Sequence, residues 1–255
     1  MQFDEKWAFV FKKRQHCSEE ELAQERVGDC WDHLGFDPEH RLVLSVVFGP
    51  RIGPNVHAVV QQVKKQLAGR VPSLITTDGY STYAEAFARA FSFMLQPKHQ
   101  RGQPNPGGPK RQLLAGLNYA IVEKRREHGR VVEVTPQIVY GTEASLQAAL
   151  KRSRVSSQVN TSFVERHNAT DRHRNARKAR RTYRFSKDWD VHAAVGYFTL
   201  YSYNFCWPVS TLRVREGKGK KRRWRQRTPA MSAGLTDHIW TLCEWLSLPA
   251  GRDAS

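Results

Sequence analysis

Three runs of strand-forming residues precede the first helical periodicity in this chain, and that order narrows the possible folds more than any other feature. The first run, Phe3 to Phe11, carries Phe3, Trp7, Phe9, Val10 and Phe11. The second and third, Cys30 to Phe36 and Leu42 to Phe48, are joined by the turn Asp37-Pro38-Glu39-His40. Between the first two, residues 12 to 26 are charged and read as an insertion or a long hairpin loop. From Asn55 to Leu67 the spacing of Val56, Val59, Val60, Val63 and Leu67 predicts a helix, capped by Asn55 and ended by Gly69. A short buried-type strand, Pro72 to Thr76, stops at Asp78-Gly79, and a second helix, Thr82 to Phe93, follows at once. Three antiparallel strands followed by parallel ones joined through helices make an α/β layered sheet.

The second half is less regular. Residues 97 to 112 are rich in Pro, Gly and cations and read as a mobile loop. Leu117 to Glu123 and Val131 to Tyr140 flank a polar turn at Glu127 to Gly129, so a β-hairpin is expected there, within an insertion spanning about residues 97–140. A short helix near Glu143 to Lys151 leads to a long arginine-rich helix opening at Ser162. An aromatic-rich helix, Trp189 to Phe205, closes a main domain of residues 1–205, with Trp189, Tyr197, Tyr201 and Trp207 read as core. Residues 206–255 are expected to form a basic extension: a loop or tail from Arg213 to Arg227, then a small packing helix within Thr228 to Leu248.

Charge is distributed unevenly. The chain is +17 overall, yet residues 151 to 227 alone hold 21 Lys and Arg against 5 acids, so the other 178 residues sum to about +1. Clustered cations on a nearly neutral body fit a phosphate backbone, because counterion release rewards them near DNA or RNA; the plainer account is a solvated charge run. Six of the twelve residues from Thr170 to Arg181 are basic (Arg172, Arg174, Arg177, Lys178, Arg180 and Arg181), and they surround the predicted helix, which excludes an amphipathic membrane face. Such contacts position nucleic acid without reading its sequence. His167 and His173 border this segment as hydrogen-bonding or phosphate contacts rather than metal ligands. The four cysteines, Cys17, Cys30, Cys206 and Cys243, form no C-x-x-C pair, which argues against a structural zinc site and a disulfide scaffold. With no membrane-length apolar run and no signal peptide, a cytoplasmic location is expected, nucleoid-associated when bound to DNA.

Three acids stand out by setting. Asp78 ends a buried strand before a glycine, where open α/β sheets place their ligand crevice; an ordinary Asp-Gly turn is the alternative. Asp4 lies in an apolar strand and needs a partner such as a cation, while Glu5 points to the opposite face and reads as solvated or salt-bridged. Glu165 opens the basic helix, and Asn168, Ala169 and Arg172 share its face. Ser162-x-x-Glu165 also matches a capping box, which would give Glu165 a purely structural task. Two-metal phosphodiester chemistry needs such carboxylates, and hard oxygen donors suit Mg²⁺ or Mn²⁺.

The blocks DEKWAFV (4–10), GDCWDHLGFDPEHRLVLSVVFGPR (28–51), TTDGYSTY (76–83), NTSFVERHNATDRHRNARKARRTYRFSK (160–187) and RTPAMSAGLTDHIWTL (227–242) occur in this order along nearly the whole chain. In these blocks the chain resembles the DDE transposases of bacterial insertion sequences, of the insertion-sequence-one type and its relatives. The resemblance implies a ribonuclease-H-like catalytic core that uses two Mg²⁺ or Mn²⁺ ions to cut transposon ends and join them to target DNA. It implies Asp4, Asp78 and Glu165 as the catalytic and metal-binding triad and Arg172 as a DNA-phosphate contact; the basic run itself gives Arg174, Arg177, Lys178, Arg180 and Arg181, with Asn168 on the Glu165 face, as further DNA contacts. The implied partners are double-stranded DNA, both transposon ends and target, and further copies of the chain assembled on it. The family's N-terminal DNA-binding region is not visible, and the first acid lies four residues from the start, so an upstream or separately encoded region is expected. Two rivals accompany this reading: a ribonuclease-H-like nuclease that cuts without joining, and a non-catalytic basic nucleic-acid-binding module.

Overall fold

Alternation along the first strand decides how the layers stack. In β1 (Gln2–Val10) Phe3 and Glu5 point to one face of the sheet, and Gln2, Asp4 and Lys6 to the other. Buried residues occur on both sides, as expected of a central strand covered on two faces. In the computed structural model, which describes residues 1–24, 26–96, 108–217 and 223–247, β1 leads through a short helix, α1 (Glu19–Ala23), to β2 (Gly28–Asp37) and β3 (Leu42–Gly49). These three strands are antiparallel neighbours. The charged segment after β1 is thus a hairpin connection elaborated by one short helix.

α2 (Gly53–Gln66) then crosses to β4 (Ile75–Thr77), which pairs parallel with β1, and α3 (Thr82–Ala90) follows. Asn55 does not cap α2. The helix begins at Gly53, and Asn55 lies in its first turn, donating Nδ2 to the Pro50 carbonyl at 2.8 Å. β5 (Ser92–Leu95) pairs with β6 (Lys110–Leu113), a small two-stranded sheet at the expected end of the second helix and of the loop at 97–112. Residues 97–107 of that loop lie outside the described residues.

The expected hairpin forms as β7 (Tyr119–Glu127) and β8 (Arg130–Tyr140), but it is not an outlying insertion. β7 pairs parallel with β4, giving one six-stranded sheet in the order β3-β2-β1-β4-β7-β8. The fold is therefore α/β, with a mixed sheet flanked by helices. α4 (Glu143–Arg152) precedes α5 (Ser162–Arg174), and α6 (Trp189–Cys206) lies beside β3. α5 is shorter than the arginine-rich run implied. It ends at Arg174, Asn175 is extended, and Ala176–Lys178 is a single 3-10 turn.

Two apolar clusters hold the layers. On one face Phe3 joins Val56, Val59, Val60 and Val63 of α2 and Tyr83 and Phe87 of α3. On the other, Leu34, Phe36, Val43 and Val46 of the sheet meet Val164 of α5 and Leu200 and Tyr203 of α6. Of the aromatic residues expected in the core, Trp189 and Tyr201 are half-buried, whereas Tyr197 and Trp207 are exposed. Beyond α6 the basic segment forms a hairpin, β9 (Val214–Glu216) with β10 (Arg223–Arg225), rather than a loop or tail; residues 218–222 lie outside the described residues. The terminal segment is two short helices, α7 (Pro229–Ser232) and α8 (Leu242–Ser247), instead of one, and Trp240 and Trp245 sit 4.7 and 5.5 Å from Phe205; its expected last residue, Leu248, lies outside the described residues. No helix among the described residues is long and apolar enough to cross a membrane.

Gly35 permits the α2 contact: a Cβ there would stand 2.4 Å from Val63 Cγ2 and 3.1 Å from Phe3 Cε1. Gly35→Ala is expected to cost about 1–3 kcal/mol by overpacking, read as a lower urea midpoint with an unchanged slope.

Candidate active site

Sheet register brings the first two acids together. Gln2 of β1 pairs with Thr76 of β4, and the strands are parallel, so Asp4 and Asp78, each two residues further on, fall side by side. The loop before α5 closes this face. Gln2 Nε2 donates to the Asn160 carbonyl at 2.6 Å, Thr76 Oγ1 donates to the same oxygen at 2.8 Å, and the Val164 amide donates to Gln2 Oε1 at 2.9 Å. One turn further along α5, Asn168 Nδ2 donates to Asp4 Oδ2 at 2.7 Å. Asp78 itself is exposed at the strand end, followed by Gly79 in the left-handed region at φ +92°.

Glu165 lies within electrostatic reach of Asp4 and is not part of a capping box. Thr161, not Ser162, is the N-cap of α5, and the Glu165 side chain reaches no backbone N–H. Its Oε1 instead accepts from Thr161 Oγ1 at 2.6 Å and from Lys124 Nζ of β7. Burial, then the Asp78, Glu5 and Glu165 carboxylates, push Asp4 up to about 7 from an ordinary 3.8. Asp4 and Asp78 make no ion pair among the described residues. Carboxylate oxygens of this kind suit a hard divalent cation such as Mg²⁺ or Mn²⁺, but Asp4, Asp78 and Glu165 do not bring their ligand atoms within 4.8 Å of one another. Glu5 is on the opposite face, as its register requires, with Oε2 accepting from Arg51 Nε at 3.0 Å and from its terminal nitrogen at 2.8 Å.

Beneath the acids runs a buried chain of ions that composition alone does not reveal. Lys6, one pleat beyond Asp4, contacts Asp171 of α5 and lies 2.9 Å from Asp32 Oδ2, which also receives Lys178 Nζ at 2.6 Å. These four side chains are 1–2 % exposed. Burial would lower Lys6, but Asp32 and Asp171 outweigh it and hold its value above the ordinary one. Burial likewise opposes ionisation of Asp32, and Lys178 and Lys6 overcome that to hold it far below the usual carboxylate range. Among the described residues, Asp32, Cys30 and His192 are the one group of three or more such side chains whose ligand atoms lie within 4.8 Å of one another. Two ammonium groups already neutralise that carboxylate, and burial, then Asp32, push the Cys30 thiol up to about 12, away from the thiolate a metal needs.

The structure places the expected DNA contacts unequally. Lys178 is buried on Asp32, and Asn168 is buried on Asp4, so neither is free for a phosphate. Arg174 turns toward α6, donating to the Thr199 carbonyl at 3.0 Å and lying 4.6 Å from the Trp207 ring centroid. His167 is a core residue, stacked at 4.9 Å on Phe36, and burial lowers it to about 3. Arg172, half-buried, lies within electrostatic reach of Arg180 and Asp4. Arg180 and Arg181 are exposed, and Arg177 is partly so, all three beyond the end of α5. Lys124 carried no sequence signal, because nothing in a hairpin strand announces which neighbour its side chain will meet.

No family model matches the sequence, and comparisons with curated proteins and with solved structures found no match either.

Two outcomes test this description. Asp4 binds a proton more readily folded than unfolded between pH 3.8 and about 7, so its ionisation subtracts stability as pH rises through that window. Asp4→Asn in chelator should therefore raise the melting temperature by a few degrees above pH 7 and change it little near pH 4. Lys178→Ala should cost about 3–5 kcal/mol by leaving the buried Asp32 and Asp171 to share Lys6 alone, whereas Arg180→Ala should leave denaturant stability near wild type.

Proposed function

We propose that the chain is a DDE-type transposase catalytic domain on a ribonuclease-H-like fold, cutting DNA and joining it to a target with Mg²⁺ or Mn²⁺. The observation that carries this reading is that Asp4 and Asp78 fall side by side in adjoining parallel strands, while α5, docked on Asp4 through Asn168, brings Glu165 within electrostatic reach of Asp4. Three antiparallel strands followed by parallel ones joined through helices is also the order expected of that fold.

Asp4 and Asp78 would hold one ion between them, and Glu165 would complete the site for a second. Bound there, the metal pair supplies activation of a water or 3′-hydroxyl nucleophile and stabilises the leaving oxygen. Asn168 orients the Asp4 carboxylate through its amide, leaving the other oxygen, Oδ1, for a ligand. Arg172, within electrostatic reach of Asp4, and the exposed Arg180 near Arg172 would serve as phosphate contacts, with Arg177 and Arg181 extending the same basic segment. No side-chain nucleophile is needed, so no covalent protein intermediate forms.

Glu165→Gln should reduce Mg²⁺-dependent cleavage and strand transfer by about 100-fold or more, the scale of losing one preorganised electrostatic group, while duplex affinity in a binding assay stays within about twofold, because base-independent binding rests on the cations. Equal loss of both would point to the basic binding module. Cleavage without joined product would point to the nuclease.

A further inference from the structure

We propose that Lys124 is an exchange cation for the acidic cluster: it neutralises Glu165 until a divalent ion takes that carboxylate, and is then released to hold a DNA phosphate. This rests on the reading of the acids as a metal site and adds a residue to it.

The sheet places Lys124 on the acidic face. Thr77 pairs with Ile121 across β4 and β7, so Val122 falls opposite Asp78 and Lys124 lies one pleat further along the same side. Ala120 and Val122, which share that side, are buried beneath the covering helices, whereas Lys124 emerges at the crevice, partly exposed. Its ammonium contacts Glu165 Oε1 and lies 3.2 Å from Thr161 Oγ1, which donates to the same carboxylate oxygen at 2.6 Å. Among the described residues it is the one cation in ion-pair contact with any of the three acids.

Stability does not account for the pair. The Lys124 and Glu165 side chains are 23 % and 45 % exposed, and a half-solvated ion pair contributes little to folding. Competition does account for it. Glu165 Oε1 already receives two donors, so an incoming dication must displace the ammonium or meet its repulsion. A displaced lysine on a flexible four-carbon stem stays within reach of the same crevice. There it would meet the phosphate that the metal attracts, so metal and DNA binding are coupled through one side chain.

The test uses the full chain with Mn²⁺ as the metal probe, measured by calorimetry, and a fluorescein-labelled duplex with and without Ca²⁺, measured by anisotropy. Lys124→Met keeps the stem and removes the charge. It should bind Mn²⁺ about three- to tenfold more tightly than wild type, as loss of a close like charge in partly screened surroundings requires. Wild type should bind duplex more tightly in Ca²⁺, and Lys124→Met should lose most of that gain, with a salt slope lower by about one. Lys124→Arg, which retains the charge, should behave like wild type in both assays. Unchanged or weaker Mn²⁺ binding by Lys124→Met, with wild-type binding intact and abolished by Asp4→Asn, would overturn the exchange and leave the metal site standing. Absence of Mn²⁺ binding in wild type, or binding indifferent to Asp4→Asn, would remove both.

Discussion

The buried chain Lys178–Asp32–Lys6–Asp171 is the interaction on which the rest of this structure depends. It joins β1, β2, α5, and the 3-10 turn after α5, and Thr199 of α6 adds a hydrogen bond to Asp171 at 3.3 Å. Charges taken out of water are stable only when every partner is present. Misplacing any of these elements would leave an ammonium or a carboxylate unpaired inside the protein. The network thus fixes the position of α5 over β1 more strictly than apolar packing would, since an apolar face tolerates sliding and a paired charge does not.

That constraint reaches the candidate site directly. Lys6 and Asp4 lie on the same side of β1, and Asp171 and Asn168 occupy neighbouring turns of α5. Locking Lys6 to Asp171 therefore sets the height at which Asn168 meets Asp4 and at which Glu165 overhangs the crevice. The two groups differ in charge balance. Below, two lysines answer two aspartates. Above, one lysine pairs with Glu165 alone, Asp4 and Asp78 make no ion pair among the described residues, and Asp4 is raised to about 7 by burial and its neighbours. A fold that neutralises one set of buried ions completely and leaves the adjoining set short of cations has concentrated its unmet electrostatic demand in one place.

Much of the fold was legible because hydrophobic period and turn chemistry are local. The first three strands, α2 and α6 follow from residues within a few positions of one another, and so does the hairpin turn at Glu127 to Gly129. What failed was non-local. A hairpin looks the same whether it stands alone or adds to a sheet, so the pairing of β7 with β4 could not be read from either strand. The basic run after Thr170 looked like one continuous helix because arginine and lysine tolerate helix well, yet Asn175 is extended and directs Lys178 inward. Its inward turn answers Asp32, which is 146 residues away in sequence.

The sequence by itself determined the α/β class, the segregation of charge into residues 151 to 227, and the presence of one acid in each of three distinct local settings. Those are properties of composition and short-range pattern. Only the tertiary structure decided that α5 docks on Asp4 through Asn168, that Lys178 and Asn168 serve the interior rather than the surface, and that Lys124 is the cation facing Glu165. The physical reason is that electrostatic partnership depends on distance in space, and sheet register and helix docking set that distance between residues the sequence keeps far apart.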